Sequence, residues 1–483
     1  MMDRRAVAGV LEQIASFLEL KGDNPFRVRA FRTAARAVSA LTADVESALE
    51  DGSLAGAKGI GPATLEIIAE LVETGRSTLL AELREQVPPG LVEMLAISGL
   101  GVAKIRQIHD MLGVDSLPEL ETAARDGRLA KLPRFGPRTA ENVLKGITFL
   151  RQTRGRRLAH HATEEAKALR QSLERLDGVS HAIVAGEVRR RCEVVQEIVV
   201  VLIADAAPAA IFQRLASLPG VQEFAGQDER RVTLRFAGGS AAQIVVTTPV
   251  NAGAVLVHAT GSDAHLEELG KHAASRGSAL TGAALWQGST FVPTPDEETF
   301  YRALGLATIA PELREGMGEV AAAAGDGLPE LIRREDLRGL LHCHTVFSDG
   351  SNTVMEVGEA CRALGYEYVG LTDHSGSAAY AGGLTDDDLL RQRDEVDEAN
   401  ARLEGIRILQ GIEADILADG SLDYRDETLA RLDFVIGSIH SRFDMSEREM
   451  TERVCKALSD NNMDIFGHPT GRLLLRRPGY RID

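Results

Sequence analysis

Seven residues in the C-terminal third have the types and spacing needed to gather divalent cations. His342 and His344 stand one residue apart in LLHCHTVFSDG, with Asp349 five positions after the second histidine. On an extended strand, side chains at i and i+2 leave the same face, so both imidazoles can hold one cation. Neutral imidazole is a common ligand for zinc and similar metals. His374 in VGLTDHS, Glu413 in ILQGIEADI, His440 in FVIGSIHS and His468 in MDIFGHPTGR each end or follow a short apolar run. That placement fits ligands collected at the mouth of a parallel α/β barrel. A lone histidine here would read as a satisfied core or surface residue, whereas the ordered set reads as a metal site.

The elements that must position these residues belong to a long chain. Its 483 residues suffice for several domains, and 44% hydrophobic content is ample for packed cores. Cys192, Cys343, Cys361 and Cys455 form no CxxC pair and follow no signal peptide, which predicts free thiols in the cytoplasm. No apolar run nears bilayer-spanning length, so a soluble protein without a membrane partner is expected.

The formal net charge of −17 alone argues against a simple nucleic-acid binder. Its distribution says more. Lys131, Arg134, Arg138, Lys145, Arg151, Arg154, Arg156 and Arg157 are opposed only by Glu141. Arg27, Arg29, Arg32 and Arg36 add a second basic stretch, while acid collects in TDDDLLRQRDEVDEANARLEG. Charge runs are usually solvated helix faces, so the basic stretch needs support from another signal.

A repeat supplies it. GAKGIGPATLEIIAELVETG, ISGLGVAKIRQIHDMLGV and LPRFGPRTAENVLKGITFL each set a short glycine turn before an amphipathic helix. Glycine lets the backbone turn tightly, and the helix N-terminus then offers free amides to phosphate. These resemble helix-hairpin-helix elements, which grip DNA backbone without reading sequence. The expected contacts are Gly59, Gly61, Gly99, Gly101, Lys104, Gly136 and Arg138. In the third turn Arg134 replaces the first glycine, which makes that backbone contact less secure.

Residues 1–85 and 86–155 read as helical. From about residue 160, the helix ATEEAKALRQSLERL leads into strands HAIVAGEV, EIVVVLIA, RRVTLRFA and AAQIVVTTP, with helix AAIFQRLASL between them. This is an α+β layer. The Gly- and Ala-rich passage MGEVAAAAGDGLPEL reads as a linker.

The order of motifs resembles bacterial family-X DNA polymerases with a C-terminal polymerase-and-histidinol-phosphatase (PHP) domain. The resemblance runs from LELKGDNPFRVRAFRTAARAV through AGEVRR, ATGSDAH and FYRALGLATIAPELRE to DLRGLLHCHTVFSDGS, LADGSLDY and GHPTGRLL. It implies a multidomain α+β and α/β architecture. The implied parts are a helical DNA-binding domain at 1–85 and a fingers-like domain with two hairpin turns at 86–157. A nucleotidyltransferase-like palm follows at 158–250, a thumb-like domain with linker at 251–325, and a PHP-type β/α barrel at 326–483. It also implies gap-filling synthesis in DNA repair and a metal-dependent nuclease or phosphoesterase.

The departures from that pattern are specific. The family's palm holds two Mg²⁺ ions with two aspartates at i and i+2 and a third on a neighbouring strand. Those positions are Glu197, Val199 and Gln243 here, a poor match for hard cations, and Mg²⁺ is not expected at the palm. Glu187 puts a negative charge where the triphosphate would lie, and His258 and Ala259 take the place of an aromatic pair. Gly186, Arg190 and Gly261 remain as a residual nucleotide pocket.

The C-terminal domain keeps its ligands better. The resemblance implies one metal at His342, His344 and Glu413. Glu413 would bridge to a second, completed by His440 and His468, and Asp349 with His374 would begin a third. His342, His344, Glu413 and His440 would serve catalysis, with Mn or Zn as the metal. The family adds an aspartate and a histidine beyond GHPTGRLL. The chain stops at Asp483, so two sets would each lack a ligand and the barrel would expose a sheet edge.

The expected function is a DNA-repair hydrolase acting on gapped or nicked DNA without sequence preference, as a metal-dependent phosphoesterase or 3'-5' exonuclease. A non-catalytic DNA-binding scaffold is the first alternative and an active gap-filling polymerase the second. Lys58, in the first turn, is at best the neighbour of a position for a lyase nucleophile.

Overall fold

A computed structural model describes residues 4–39, 41, 45–57, 59–97, 99–153, 155–218, 220–236, 241–325, 327–459 and 462–483. Lys58 and Arg154 lie outside the described residues. The chain divides into two compact units, Met1–Gly155 and Arg156–Asp483.

The first unit is helical, with one apolar core running from Val7 to Ile147. Helix Thr78–Gln86 lies across the boundary expected near residue 85, and its Leu80 and Leu83 are buried in the common core. Each repeated turn opens onto a helix: Pro62–Thr74, Val102–Leu112 and Pro137–Thr153. Their apolar faces (Ile68 and Leu71, Ile105 and Ile108, Val143 and Ile147) enter the core, leaving the turns at the ends of the helices.

In the second unit, the palm sheet runs in the order Val179–Ala185, Ile198–Ala204, Ala241–Thr247, Arg231–Phe236, Val221–Ala225. Only the pair 198–204 and 241–247 is parallel. The Val221–Ala225 strand goes beyond what the apolar pattern predicts, because its partial exposure gives no continuous apolar run. Next comes a helical thumb with a three-stranded sheet.

The passage read as a linker contains helix Glu319–Ala324. Val320 and Ala323 pack in the thumb core, and the buried Glu319 carboxylate accepts from the Gly316 and Met317 amides at 2.9 and 2.7 Å. Small residues there serve close packing as well as chain freedom. Residues 327–333 carry no regular element.

The last part is a parallel sheet in strict chain order: Gly339–Cys343, Tyr368–Leu371, Arg407–Asp415, Phe434–Ser438, Ile465–Phe466. Helices Val354–Ala363, Asp386–Arg402 and Glu447–Ser459 connect successive strands. This open half-barrel has the PHP-type fold that the motifs implied. The strand at its C-terminal edge is two residues long, which limits the unpaired backbone offered to other chains on that side. The C-terminal segment then folds back, with Tyr480 stacked on Phe443 and packed in the core beside Met450 and Val454.

Candidate metal centre

All seven candidate ligands lie at the carboxyl edge of this sheet or in the turns just beyond it. His342 is in the first strand and His344 directly follows it. His374 follows the second strand, Glu413 is in the third, and His440 and His468 follow the fourth and fifth. Parallel strands bring such positions together because every crossover returns the chain in the same direction.

The first two histidines do not share a regular strand as i and i+2. His342 has φ 69°, in the left-handed region, and the strand's register shifts between Leu340 and Cys343. His468 also has positive φ, at 26°. Left-handed backbone at non-glycine residues is uncommon, and at a site it marks side chains aimed by the surrounding fold.

Glu413 is the hub, with only 1% of its side chain exposed. His342 Nε2 lies 3.1 Å from Oε1, His440 Nε2 3.3 Å and His468 Nε2 2.8 Å; His374 Nδ1 lies 2.9 Å and His344 Nε2 3.7 Å from Oε2. Burial opposes the charge on Glu413. The imidazoles of His342, His374, His440 and His468, packed around it, outweigh that cost and hold the carboxyl far below the usual range. Burial and the nearby His374 hold His344 below its ordinary value. Burial also opposes charging of His440, but bonds to Asp415 and Glu413 push it up to about 9.

Three groups bring ligand atoms within 4.8 Å of one another: His342, Glu413, His468; His344, Asp349, His374; and His374, Glu413, His440. Glu413 belongs to two of these groups; His468 falls with His342, and His344 with Asp349 and His374. Buried His344 Nδ1, His374 Nδ1 and Glu413 Oε2 lack hydrogen-bond partners among the described residues. Orphaned lone pairs converging on a buried carboxylate, with mixed imidazole and carboxylate donors, fit divalent cations.

Two neighbours carry no motif of their own and were not anticipated. Asp415 Oδ1 accepts from His440 Nδ1 at 2.6 Å, and the EAD spacing that puts Asp415 on the Glu413 face was a usable signal. Tyr380, 73% exposed, stands at the rim with its ring 6.0 Å from that of His374.

The palm positions also converge. Val199 pairs with Gln243 across parallel strands, and Glu197 immediately precedes the first. Val199 packs with Ala185, Val201, Val245, Val255 and Leu256. Burial and the adjacent Glu187 raise the Glu197 pKa, while Arg231 opposes them. The Arg231 guanidinium also bonds His258 Nδ1 at 3.2 Å. The Glu187 carboxylate turns back to accept from the Gln196 amide at 2.5 Å. Gly186 is buried with φ 63°, beside Val199. Arg190 is bound to Glu315 at 2.6 Å and to the Thr260 carbonyl at 2.7 Å; Gly261 lies close to His265.

In the hairpin turns, Gly59 and Gly99 have φ 102° and 84°. Arg134 takes φ 66°, so the third turn keeps the left-handed geometry without glycine. Gly61 and Gly101 cap their helices in extended conformation, and the Gly136 carbonyl accepts the Ala140 amide at 3.1 Å. Lys104 Nζ donates to the Gly99 carbonyl at 2.9 Å, bracing the second turn. Arg138 is the second residue of its helix.

Residues 2–77 match the helix-hairpin-helix domain family, and residues 91–147 match a SAM-like helix-hairpin-helix tandem. Residues 255–315 match the DNA polymerase beta thumb, and 341–478 the PHP domain. A Bacillus subtilis relative named DNA polymerase/3'-5' exonuclease PolX is 35% identical over 486 residues, covering 100% of this chain and 84% of the relative. A probable phosphatase of Acetivibrio thermocellus is 36% identical over 132 residues, covering 26% of this chain and 52% of the relative. The matched domains are DNA-binding and metal-dependent types. Among the described residues, no helix is long and apolar enough to cross a membrane.

Proposed function

The chain belongs to the family-X DNA polymerases that carry a C-terminal PHP domain, and within that family we propose a DNA-repair hydrolase whose nucleotidyl transfer is lost. It binds gapped or nicked DNA through backbone contacts and cleaves phosphoesters at the C-terminal centre, as a 3'-5' exonuclease or phosphoesterase. The observation that carries this reading is Glu413, a buried carboxylate shared by two ligand groups and ringed by imidazoles.

His342, Glu413 and His468 would hold one cation, His374, Glu413 and His440 a second, and His344, Asp349 and His374 would contribute to a third. Bound cations supply charge neutralisation at the phosphoryl oxygens and a bound water of lowered pKa. The protein's own part is orientation. Asp415 holds His440 Nδ1, so Nε2 faces Glu413. His342 and His344 reach the same carboxylate from a bent strand end.

Loss of synthesis is supported by Val199 and Gln243 at the expected aspartate positions and by a guanidinium beside the surviving carboxylate. Arg231 is a fixed cation that opposes the raised Glu197 pKa, where the family would place Mg²⁺. Arg190 is already committed to Glu315 and the Thr260 carbonyl.

The test compares the full chain with a His342→Ala/Glu413→Ala variant on gapped duplex DNA and on 3'-phosphorylated ends with Mn²⁺. Degradation or dephosphorylation by the parent and its loss in the variant is expected. No activity in either, with DNA binding intact, would replace hydrolysis with a scaffold role. Primer extension above a catalytic-site control, with Mg²⁺ or Mn²⁺, would overturn the loss of synthesis.

A further inference from the structure

Directly behind the candidate ligands lies Asp373, fully buried and not itself among them. Its Oδ1 accepts from the Thr345 amide at 2.7 Å and the Ser348 hydroxyl at 2.6 Å. Its Oδ2 accepts from the Thr345 hydroxyl at 2.7 Å and Gln392 Nε2 at 2.6 Å. These four partners are neutral. A carboxylate buried on neutral donors is costly to maintain unless its acceptor geometry has a use.

The geometry organises the site. Thr345 to Ser348 is the turn that joins His344 to Asp349, and the Gly350 amide closes it on the Thr345 carbonyl at 2.9 Å. The Asp373 carbonyl accepts the Glu413 amide at 3.0 Å, and His374 is the next residue. One residue therefore fixes the backbone around His344, Asp349, His374 and Glu413.

The network is also directional. Gln410 Nε2 donates to the Leu389 carbonyl at 2.8 Å and to Gln392 Oε1 at 3.0 Å. Gln392 therefore has to present its amide nitrogen to position 373. The Thr345 backbone N–H donates to the other oxygen and cannot reverse. Residue 373 must accept on both sides, which a carboxylate does and an amide does not.

We propose that Asp373 is a positioning residue that sets the His344–Asp349 turn for cation binding by enforcing donor direction from Gln410 through Gln392. The proposal rests on the metal-centre reading. Asp373→Asn turns an amide donor toward Gln392. Adding Gln392→Glu supplies an acceptor for both Gln410 and the new amide, and restores the pattern.

Two readouts separate this proposal from the reading beneath it. Mn²⁺ binding by calorimetry, with the full chain and Mn²⁺ alone, tests the centre, and a parent that binds none sinks that reading. Hydrogen exchange at the Thr345 amide needs no metal and tests the positioning. Asp373→Asn is expected to bind Mn²⁺ about 10–100-fold more weakly and to lose protection at Thr345. The double variant should recover both. Parent-like protection in the single variant, or no recovery in the double, overturns the proposal. If neither variant folds, Ser348→Ala decides, because it removes one donor and leaves the rest; unchanged Thr345 protection there would count against the role.

Discussion

His440 and Asp415 form a 2.6 Å hydrogen bond that leaves His440 Nε2 3.3 Å from Glu413. In the neutral ring that cation binding requires, the bond selects the tautomer whose Nε2 lone pair faces the cluster. Removing such an outer partner from a metal-ligating histidine typically weakens metal affinity by about 10–100-fold. Asp415→Ala should therefore weaken Mn²⁺ binding by that order in calorimetry, with little change in circular dichroism. Unchanged affinity would mean that the surrounding packing alone aims the ring.

Much of this centre was legible because strands advertise themselves as apolar runs and parallel topology gathers the residues at their carboxyl ends. His374, Glu413, His440 and His468 needed only that logic. The left-handed turn at His342 was not legible, since histidine's enrichment at positive φ is too weak to mark a single position. Asp373 was visible beside His374, but its worth lies in the donor direction of Gln392 and Gln410, residues far apart in sequence. In the palm, the resemblance placed Val199 and Gln243 on neighbouring strands, and the two are paired in register. The arrival of Arg231 from a neighbouring strand was not legible, because long side chains reach past their own register. Helix Glu319–Ala324 was hidden by its composition, since alanine and glycine serve linkers and tight packing alike.

The third hairpin turn holds Arg134 at φ 66°, a conformation costing an L-residue roughly 1–2 kcal/mol. Arg134→Gly removes that strain but adds chain freedom to the unfolded state, at about 0.5–1 kcal/mol. The net expectation is neutral to about 1.5 kcal/mol stabilising, read by chemical denaturation. If the grip depends on turn geometry, duplex affinity by fluorescence anisotropy should fall only by the contribution of one lost charge. A collapse of binding would assign Arg134 itself as the contact.

Val199 fills an apolar cluster where the family would place a metal ligand. Val199→Asp alone buries an unpaired carboxylate and should lower stability by about 3 kcal/mol, visible as a reduced urea midpoint. Val199→Asp combined with Gln243→Asp rebuilds an acidic trio with Glu197, so Mg²⁺ should recover part of that loss. The parent's palm should be indifferent to Mg²⁺ in the same titration. A double variant equally indifferent would show that Arg231 still excludes the cation.

His265, wholly buried in the thumb, donates from Nδ1 to Glu319 at 2.6 Å and meets the Tyr301 hydroxyl at 3.3 Å from Nε2. Burial holds its pKa below the ordinary 6.5, despite the opposing pull of the Glu319 carboxylate, and Arg314 and Arg190 add to the lowering. The folded state therefore binds fewer protons than the unfolded chain at pH values between the two pKa values. Its contribution to stability is full above pH 6.5 and is lost as pH falls toward the folded value, at up to about 1.4 kcal/mol per pH unit. His265→Gln keeps a donor for Glu319 and cannot titrate. Between about pH 8 and about pH 5.5, the parent's thermal midpoint should fall more steeply than the variant's. Parallel curves would show that His265 keeps its proton balance on unfolding, and that the thumb's acid sensitivity lies elsewhere.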